Sequence, residues 1–235
     1  MAENCLLTEN DRSKSWFVLV RHLCDKYFLP SPVLLLSLQL SKEKYKAIVK
    51  SKVVSFWESK LRADAASKPS LRFFNPNFSS LLKPHPILTT PKSNPYEVNK
   101  CVVQLRMLSG RYRDDYLLRH FHQDNIHGAC TLCSSIPGDL VHYLCFCQEL
   151  NDQRQKLFHW WLISTDGNSI LHSLIHKKKN SSSTDFVRFV LDPSSDSDVI
   201  VLIQQNLLDL ETIFKLTRTY CFSIHKSRMK MIGKV

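Results

Sequence analysis

Glycine is scarce in this sequence: 5 residues in 235, against 10 prolines. A β-rich protein draws on glycine for its tight turns, so the shortage, alongside many leucines and lysines, argues for helices. Negative charge is also in short supply. Lys plus Arg is 32 and Asp plus Glu is 21, which leaves +11. Such an excess points to a polyanionic partner, nucleic acid ahead of an anionic membrane surface. No long apolar run occurs. The stretch from Pro32 to Leu40 is far shorter than the roughly 20 residues that a membrane span requires. The opening MAENCLLTENDRSKSW lacks the architecture of a secretory signal. The 8 cysteines are therefore expected as thiols or metal ligands in a cytoplasmic or nuclear setting, not as a disulfide framework.

Four of the residues that are present organise the rest. Cys130, Cys133, His142 and Cys147 spell C-x2-C-x8-H-x4-C. Thiolates and an imidazole, four in number, are what a closed tetrahedral zinc site takes, and three thiolates with a neutral His leave the loaded site at net −1. The Cys130-Thr131-Leu132-Cys133 loop can aim both sulfurs at one ion. Pro137, Gly138 and Asp139 turn the chain, and Asp139 is placed to cap a helical turn that carries His142. On an ideal helix Cys147 faces away from His142, whereas Cys145, three residues on, faces the same way. Either the turn ends near Phe146 or Cys145 is the fourth ligand.

A content of 43% hydrophobic residues suffices for one or two domains. The expected fold is mainly α: a helical domain with a small zinc-stapled insertion and an extended Pro-rich connector. Five regions follow from the patterns: 1–66, 67–95, 96–165, 166–195 and 196–235. In the first, a helix from Trp16 stops before Pro30, Pro32 starts a second, and Ser41 to Ala66 reads as a long amphipathic helix. Its stripe of Tyr45, Ile48, Val53, Phe56, Trp57 and Leu61 is expected to pack on a core while its lysines stay in solvent. Residues 67–95 lose the period and hold six prolines among buriable residues (Phe73, Phe74, Phe78, Leu81, Leu82, Ile87), as an ordered strap would.

The third region has helices over 96–108 and 111–122, with Gly110 as a C-cap, then the zinc stretch, then a helix over 148–163. The fourth is a basic, serine-rich loop from His176 to Ser183 followed by the short apolar Phe186 to Leu191. The fifth is one long helix, Asp198 to His225, with a basic frayed tail (Lys226, Arg228, Lys230, Lys234).

Cations interleaved with aromatics are the pattern that meets phosphates and stacks bases. Arg106, Arg111, Tyr112, Arg113 and Arg119 crowd ahead of the zinc stretch, with His120 and His122. Lys156, His159, Trp160 and Trp161 follow it. Two adjacent tryptophans cannot both face inward from one helix, so Trp161 is assigned to the core and Trp160 to the surface.

Arg106-Met107-Leu108-Ser109-Gly110-Arg111-Tyr112, the Cys130/Cys133/His142/Cys147 set and Asn151-Asp152-Gln153-Arg154 together resemble the C-terminal region of non-LTR (LINE-type) retrotransposon reverse transcriptases. In that family an "R-L-L-T-G-R-Y" segment precedes a cysteine/histidine motif, and a small acidic helix with "R-x-x-L/F" follows it. Phe74-Asn75-Pro76, Lys83-Pro84-His85-Pro86 and Leu216-Thr217-Arg218-Thr219-Tyr220 extend the likeness over roughly residues 30 to 230, with only the central part at motif grade. Gln148 stands where the family usually has proline. The resemblance implies that Cys147 takes the last ligand place and Cys145 is an extra thiol. It also implies a truncated C-terminal fragment, without the polymerase domain, that helps to hold template RNA or target DNA. The expected partner is single-stranded RNA or DNA, with structural zinc and no small-molecule substrate.

Tyr112-Arg113-Asp114-Asp115 spells Y-x-D-D, the metal signature of polymerases. It lies in a segment read as helix, without the flanking apolar strands or a further Asp on a preceding strand, so its carboxylates are read as favouring a helix start. A catalytic zinc needs an open position and a carboxylate base, and the deaminase H-x-E with P-C-x-x-C is absent: Ala129 precedes Cys130. The expectation is a non-enzyme. The alternatives are a zinc-stapled protein-interaction module or a degenerate retrotransposon remnant.

Overall fold

The computed structural model describes residues 15–75, 84–89, 94–118 and 128–233, and among these no strand occurs, so the protein is mainly α. The chain divides into two units, Met1–Asp64 with Ser80–Lys83, and Ala65–Ser79 with Pro84–Val235.

In the first unit polar caps set the helix starts. Ser15 accepts the Phe17 N–H to begin α1 (Trp16–Lys26), and Ser31 accepts the Leu34 N–H to begin α2 (Pro32–Ser37), where Pro32 fills the first turn. Phe28, at φ 53°, ends α1 with the Leu29 N–H returning to the Cys24 carbonyl. The long helix α3 (Lys42–Ser67) forms as expected, but none of its residues is buried. Its apolar stripe is only half-covered, Phe56 meeting the Tyr27 ring at 5.1 Å, and Trp57 stays exposed. Among the described residues the expected core packing is not found: α1 and α2 offer 11 and 6 residues against the 26 of α3.

The second unit is built on its last helix. A single turn over Pro69–Leu71 and α4 (Pro86–Thr89) lead into α5 (Pro95–Leu108), which Asn94 caps. The helix α6 (Asp115–Leu118), the cysteine-rich segment and α7 (Asn151–Ser164) follow. Then come α8 (Ser169–Lys179), α9 (Ser183–Leu191), α10 (Ser197–Gln204) and α11 (Leu210–Met231). Helix α11 packs on α5, α7 and α9, and Ile213, Phe214, Tyr220, Cys221 and Ile224 along it are sealed from solvent.

Trp161 of α7 is 1% exposed, 5.1 Å from the Tyr220 ring, and its Nε1 donates to the Leu216 carbonyl, while Trp160 is 37% exposed, as the adjacent pair requires. Buried Gln104 of α5 donates to both the Val190 carbonyl and the Thr217 hydroxyl, so one amide joins α5, α9 and α11. Ile87 of α4 is wholly buried against Cys101 and Phe214, and the Cys101 thiol donates to its carbonyl. At this point the Pro-rich strap is buried, as expected. Phe78, Leu81 and Leu82 lie outside the described residues, as does the segment 119–127 with Arg119, His120 and His122.

Three further expectations are corrected. On α5 the helical spacing of Val98, Cys101, Val102, Leu105 and Leu108 predicts one inward stripe, of which Cys101 and Leu108 are buried while Val98 and Val102 are exposed, with Val103, Gln104 and Met107 buried instead. The basic loop is helix. His176, Lys177, Lys178 and Lys179 form the last turn of α8, where cations favour the dipole, and Lys178 is buried between Asp196 (2.6 Å) and Asp198 (2.7 Å). Those carboxylates hold the Lys178 amine above its ordinary pKa despite burial. Ser182 then caps α9 through the Asp185 N–H.

The third correction is to the final helix, which is two. Asn206 adopts φ 56°, the Leu207 N–H closes onto the Leu202 carbonyl, and Asp209 caps the new start through the Thr212 N–H. The basic tail is helical to Met231 with Arg228 buried, and Lys234 lies outside the described residues.

Gly110 shows why the segment after α5 tolerates only glycine. It sits at φ 67°, with the Arg111 N–H on the Arg106 carbonyl and its own N–H on Met107, the Schellman pattern. A Cβ there would lie 2.2 Å from the Ser70 carbonyl oxygen. Gly110→Ala is expected to cost at least about 2 kcal/mol from strain and overpacking, a fall in Tm of about 4–8 °C. A melt within 1 °C of the parent would show that the Pro69–Leu71 turn yields freely.

Candidate metal centre

The loop from Cys130 is held shut by its own backbone. The Cys130 N–H donates to Ser135, the Ser134 N–H returns to Cys130, and the Leu132 N–H points at the Cys130 sulfur at 3.4 Å. Gly138 presses against it: a Cβ at that position would be 2.6 Å from the Cys130 nitrogen. Asp139 does what its place in the sequence predicts. Its Oδ1 accepts the His142 N–H at 2.9 Å, while Oδ2 pairs with Arg72 at 2.8 Å.

The turn that follows, His142–Phe146, is wider than an α-turn, and the Cys147 N–H donates to the His142 carbonyl at 2.7 Å across five residues. This widening resolves the choice between thiols. Cys147 swings back over His142, and Cys145 turns outward to the Ser183 carbonyl, 4.0 Å from its sulfur. Burial pushes the Cys145 thiol up to about 12, as suits a protonated wall residue.

Cys130, Cys133, His142 and Cys147 thus converge, their ligand atoms all within 4.8 Å of one another. The Cys147 sulfur is 3.8 Å from both Cys130 and Cys133, and Cys133 is 3.2 Å from His142 Nε2. A tetrahedral ion about 2.3 Å from each sulfur sets the sulfurs about 3.8 Å apart, so these side chains fit a metal ion with little movement. Electrostatics point the same way. Burial raises the Cys133 thiol, but hydrogen bonds from Ser135 and the neighbouring sulfurs outweigh it and bring it down, whereas burial and then its neighbours' charge push Cys147 up. All three could be thiolates together only around a cation.

Other residues hold the ligand turn from behind. Arg154, buried on α7, donates to the Cys147 carbonyl at 2.6 Å and to Tyr143 at 3.4 Å, and the Tyr220 hydroxyl donates to Leu144 at 2.7 Å. Asp115 accepts the Thr131 N–H at 2.7 Å within the cysteine loop, is bonded by the Tyr143 hydroxyl, and pairs with buried Arg228 at 3.0 Å. Asp114 caps α6 through the Leu117 N–H at 2.8 Å. The Y-x-D-D carboxylates are therefore a cap and a brace. Sequence reading found Arg154 by motif but missed Asp115, Tyr143 and Arg228, which no local pattern connects.

The residues proposed for nucleic acid separate. Arg106, Arg111, Arg113, Lys156 and Trp160 are exposed, and Arg119 lies outside the described residues. Tyr112 is a correction: it is buried, its hydroxyl meets His225 Nδ1 at 3.2 Å and Arg228 lies over its ring, so it cannot stack a base. Compared with family models, curated proteins and solved structures, the chain matches none. Among the described residues no helix is long and apolar enough to cross a membrane.

Two outcomes follow from this geometry. Protein purified without chelator is expected to carry one metal ion per chain; Cys147→Ser should lose it and Cys145→Ser keep it, read by elemental analysis. Metal retained by Cys147→Ser and lost from Cys145→Ser would reverse the assignment.

The second outcome concerns Asp114, whose carboxyl burial raises from 3.8 to about 6. A raised carboxyl contributes its stability below the unfolded pKa and loses it as pH rises through the folded one. Asn keeps the capping oxygen without the charge, so Asp114→Asn should gain roughly 1 kcal/mol on the parent between about pH 5 and 7.5. Urea melts at fixed metal concentration would show it; a difference constant with pH would place the titration elsewhere.

Proposed function

We propose that this chain is a non-catalytic, zinc-stapled module that binds single-stranded RNA or DNA, corresponding to the C-terminal region of a LINE-type reverse transcriptase. Zinc is the ion that the donor set favours, since three soft thiolates and an imidazole in a tetrahedron suit it. Four protein ligands leave no open position for a substrate or an activated water, so the ion's role is to staple, and no residue is assigned a catalytic part.

The observation that carries the nucleic-acid reading is the placement of Arg111 and Arg113. Both are exposed on the segment that runs directly into Asp115, and Asp115 is hydrogen-bonded to the cysteine loop. Arg106, exposed in the last turn of α5, lies close enough to His225 to join burial and Arg228 in holding that imidazole below its ordinary pKa. The net charge of +11 supports the same partner. Tyr112, internal to this segment, acts as its anchor: with its ring on Arg228 and its hydroxyl on His225, it sets the backbone from which the two arginines project.

Affinity for a labelled single strand should fall at least about tenfold between about 50 and 200 mM salt, because each neutralised phosphate releases condensed counterions. Replacing Arg111 and Arg113 together by Ala should flatten that slope and leave circular dichroism unchanged. Micromolar protein that leaves the strand unbound at low salt would remove the nucleic-acid reading and leave a zinc-stapled interaction module.

A further inference from the structure

The outer side of the ligand turn lines a pocket of about 320 Å³, near the lower end of the roughly 300–1,000 Å³ usual for small-molecule sites. Phe146 stands in its wall and is 60% exposed, although it lies next to ligand Cys147 and its turn is fixed by the bonds described above. A large aromatic held in water by a turn with so little freedom asks for a flat partner. Half-buried Phe158 of α7 stands in the same wall, with the Lys179 amine 5.0 Å from its ring centroid.

Asn151 and Gln155 complete this side, four residues apart on α7 and so on one face. Their amides, each a donor and an acceptor, make no hydrogen bond to another described residue. The wall contains Arg154 and Lys179 and no acidic residue. Exposed Lys156 adjoins Gln155 in the chain.

We propose that this pocket takes one unstacked nucleobase of a single-stranded nucleic acid, laid against Phe146 with its edge on the Asn151 and Gln155 amides and the adjoining phosphate on Lys179, whose amine lies over the Phe158 ring. The inference rests on the nucleic-acid reading above and gives it a base-contacting site distinct from Arg111 and Arg113. Each feature excludes a simpler occupant. A phosphate alone has no use for an aromatic wall. An apolar peptide side chain leaves two amides unsatisfied, and an acidic one leaves the Phe146 ring uncovered. A nucleotide uses all three, and its base must come from a single strand because a paired base keeps its faces stacked.

The test compares two end-labelled strands of equal length, one of ordinary nucleotides and one abasic, titrated with the metal-loaded full chain at low salt and read by anisotropy. The parent should prefer the base-bearing strand by about tenfold, the scale of one base–aromatic contact. Phe146→Ala should bring the two strands to parity with the salt slope and metal content unchanged, and Phe146→Trp should keep the preference. The Arg111 and Arg113 double replacement should weaken both strands and preserve their ratio. Equal parental affinity for the two strands, or a preference that survives Phe146→Ala, overturns the pocket and leaves the phosphate-binding reading standing. Failure to bind either strand overturns both.

Discussion

The hydrogen bond from the Cys147 N–H to the His142 carbonyl, closed across five residues, is the contact on which the metal centre depends. An α-turn would bring Cys145 under His142 and send Cys147 away. Widening the turn by one residue reverses this, at the expense of carbonyls that no longer find partners one α-turn ahead. A buried carbonyl left bare costs on the order of 1–3 kcal/mol, so the wide turn persists only if other donors arrive. They do: Arg154 reaches Tyr143 and Cys147, and the Tyr220 hydroxyl reaches Leu144. The helices that follow the cysteine motif therefore form part of it, since α7 and α11 supply those donors.

Charge is balanced by the same neighbours. A loaded centre with three thiolates and a neutral imidazole carries −1. Buried Asp115 would add to that if it stood alone, but it accepts from the Thr131 N–H and from Tyr143 and pairs with Arg228, whose other amine meets the Arg113 carbonyl. A buried ion pair is tolerated when its remaining hydrogen-bonding groups are filled. Here they nearly are, the exception being Arg228 Nε. The pair spans 113 residues of sequence, fastening the end of α11 to the cysteine loop.

Local signals in the sequence gave what local physics controls. The caps at Asn94, Gly110 and Asp139, the division of labour between Trp160 and Trp161 and the candidate ligands Cys130, Cys133 and His142 all follow from short-range rules. Long-range effects account for the rest. Lys177 to Lys179 read as a loop because their partners, Asp196 and Asp198, lie far along the chain. Tyr112 read as a stacking residue because nothing nearby announces that His225 and Arg228 will cover it. The break at Asn206 was visible in principle, since an Asn followed by a capping Asp209 is a stop and a start, but the unbroken apolar period across it masks the signal. The ligand turn is a different case. Helix geometry and family resemblance gave opposite answers for Cys145 and Cys147, and only a turn wider than the α-helix reconciles them.

That turn also bears on what its outer face can do. The bonds that aim His142 and Cys147 inward fix Phe146, between them in the chain, on the other side. A flexible loop presenting the same ring would lose roughly 0.5–1.5 kcal/mol of side-chain freedom on meeting a ligand, together with its backbone entropy. Here that ordering belongs to folding and metal binding, so a ligand at Phe146 meets a surface already arranged for it. Metal binding, which needs the sulfurs deprotonated, is in this sense coupled to the outer face through one turn of chain. The cost of arranging the aromatic is met where Arg154 and Tyr220 fix the turn, next to where it would be used.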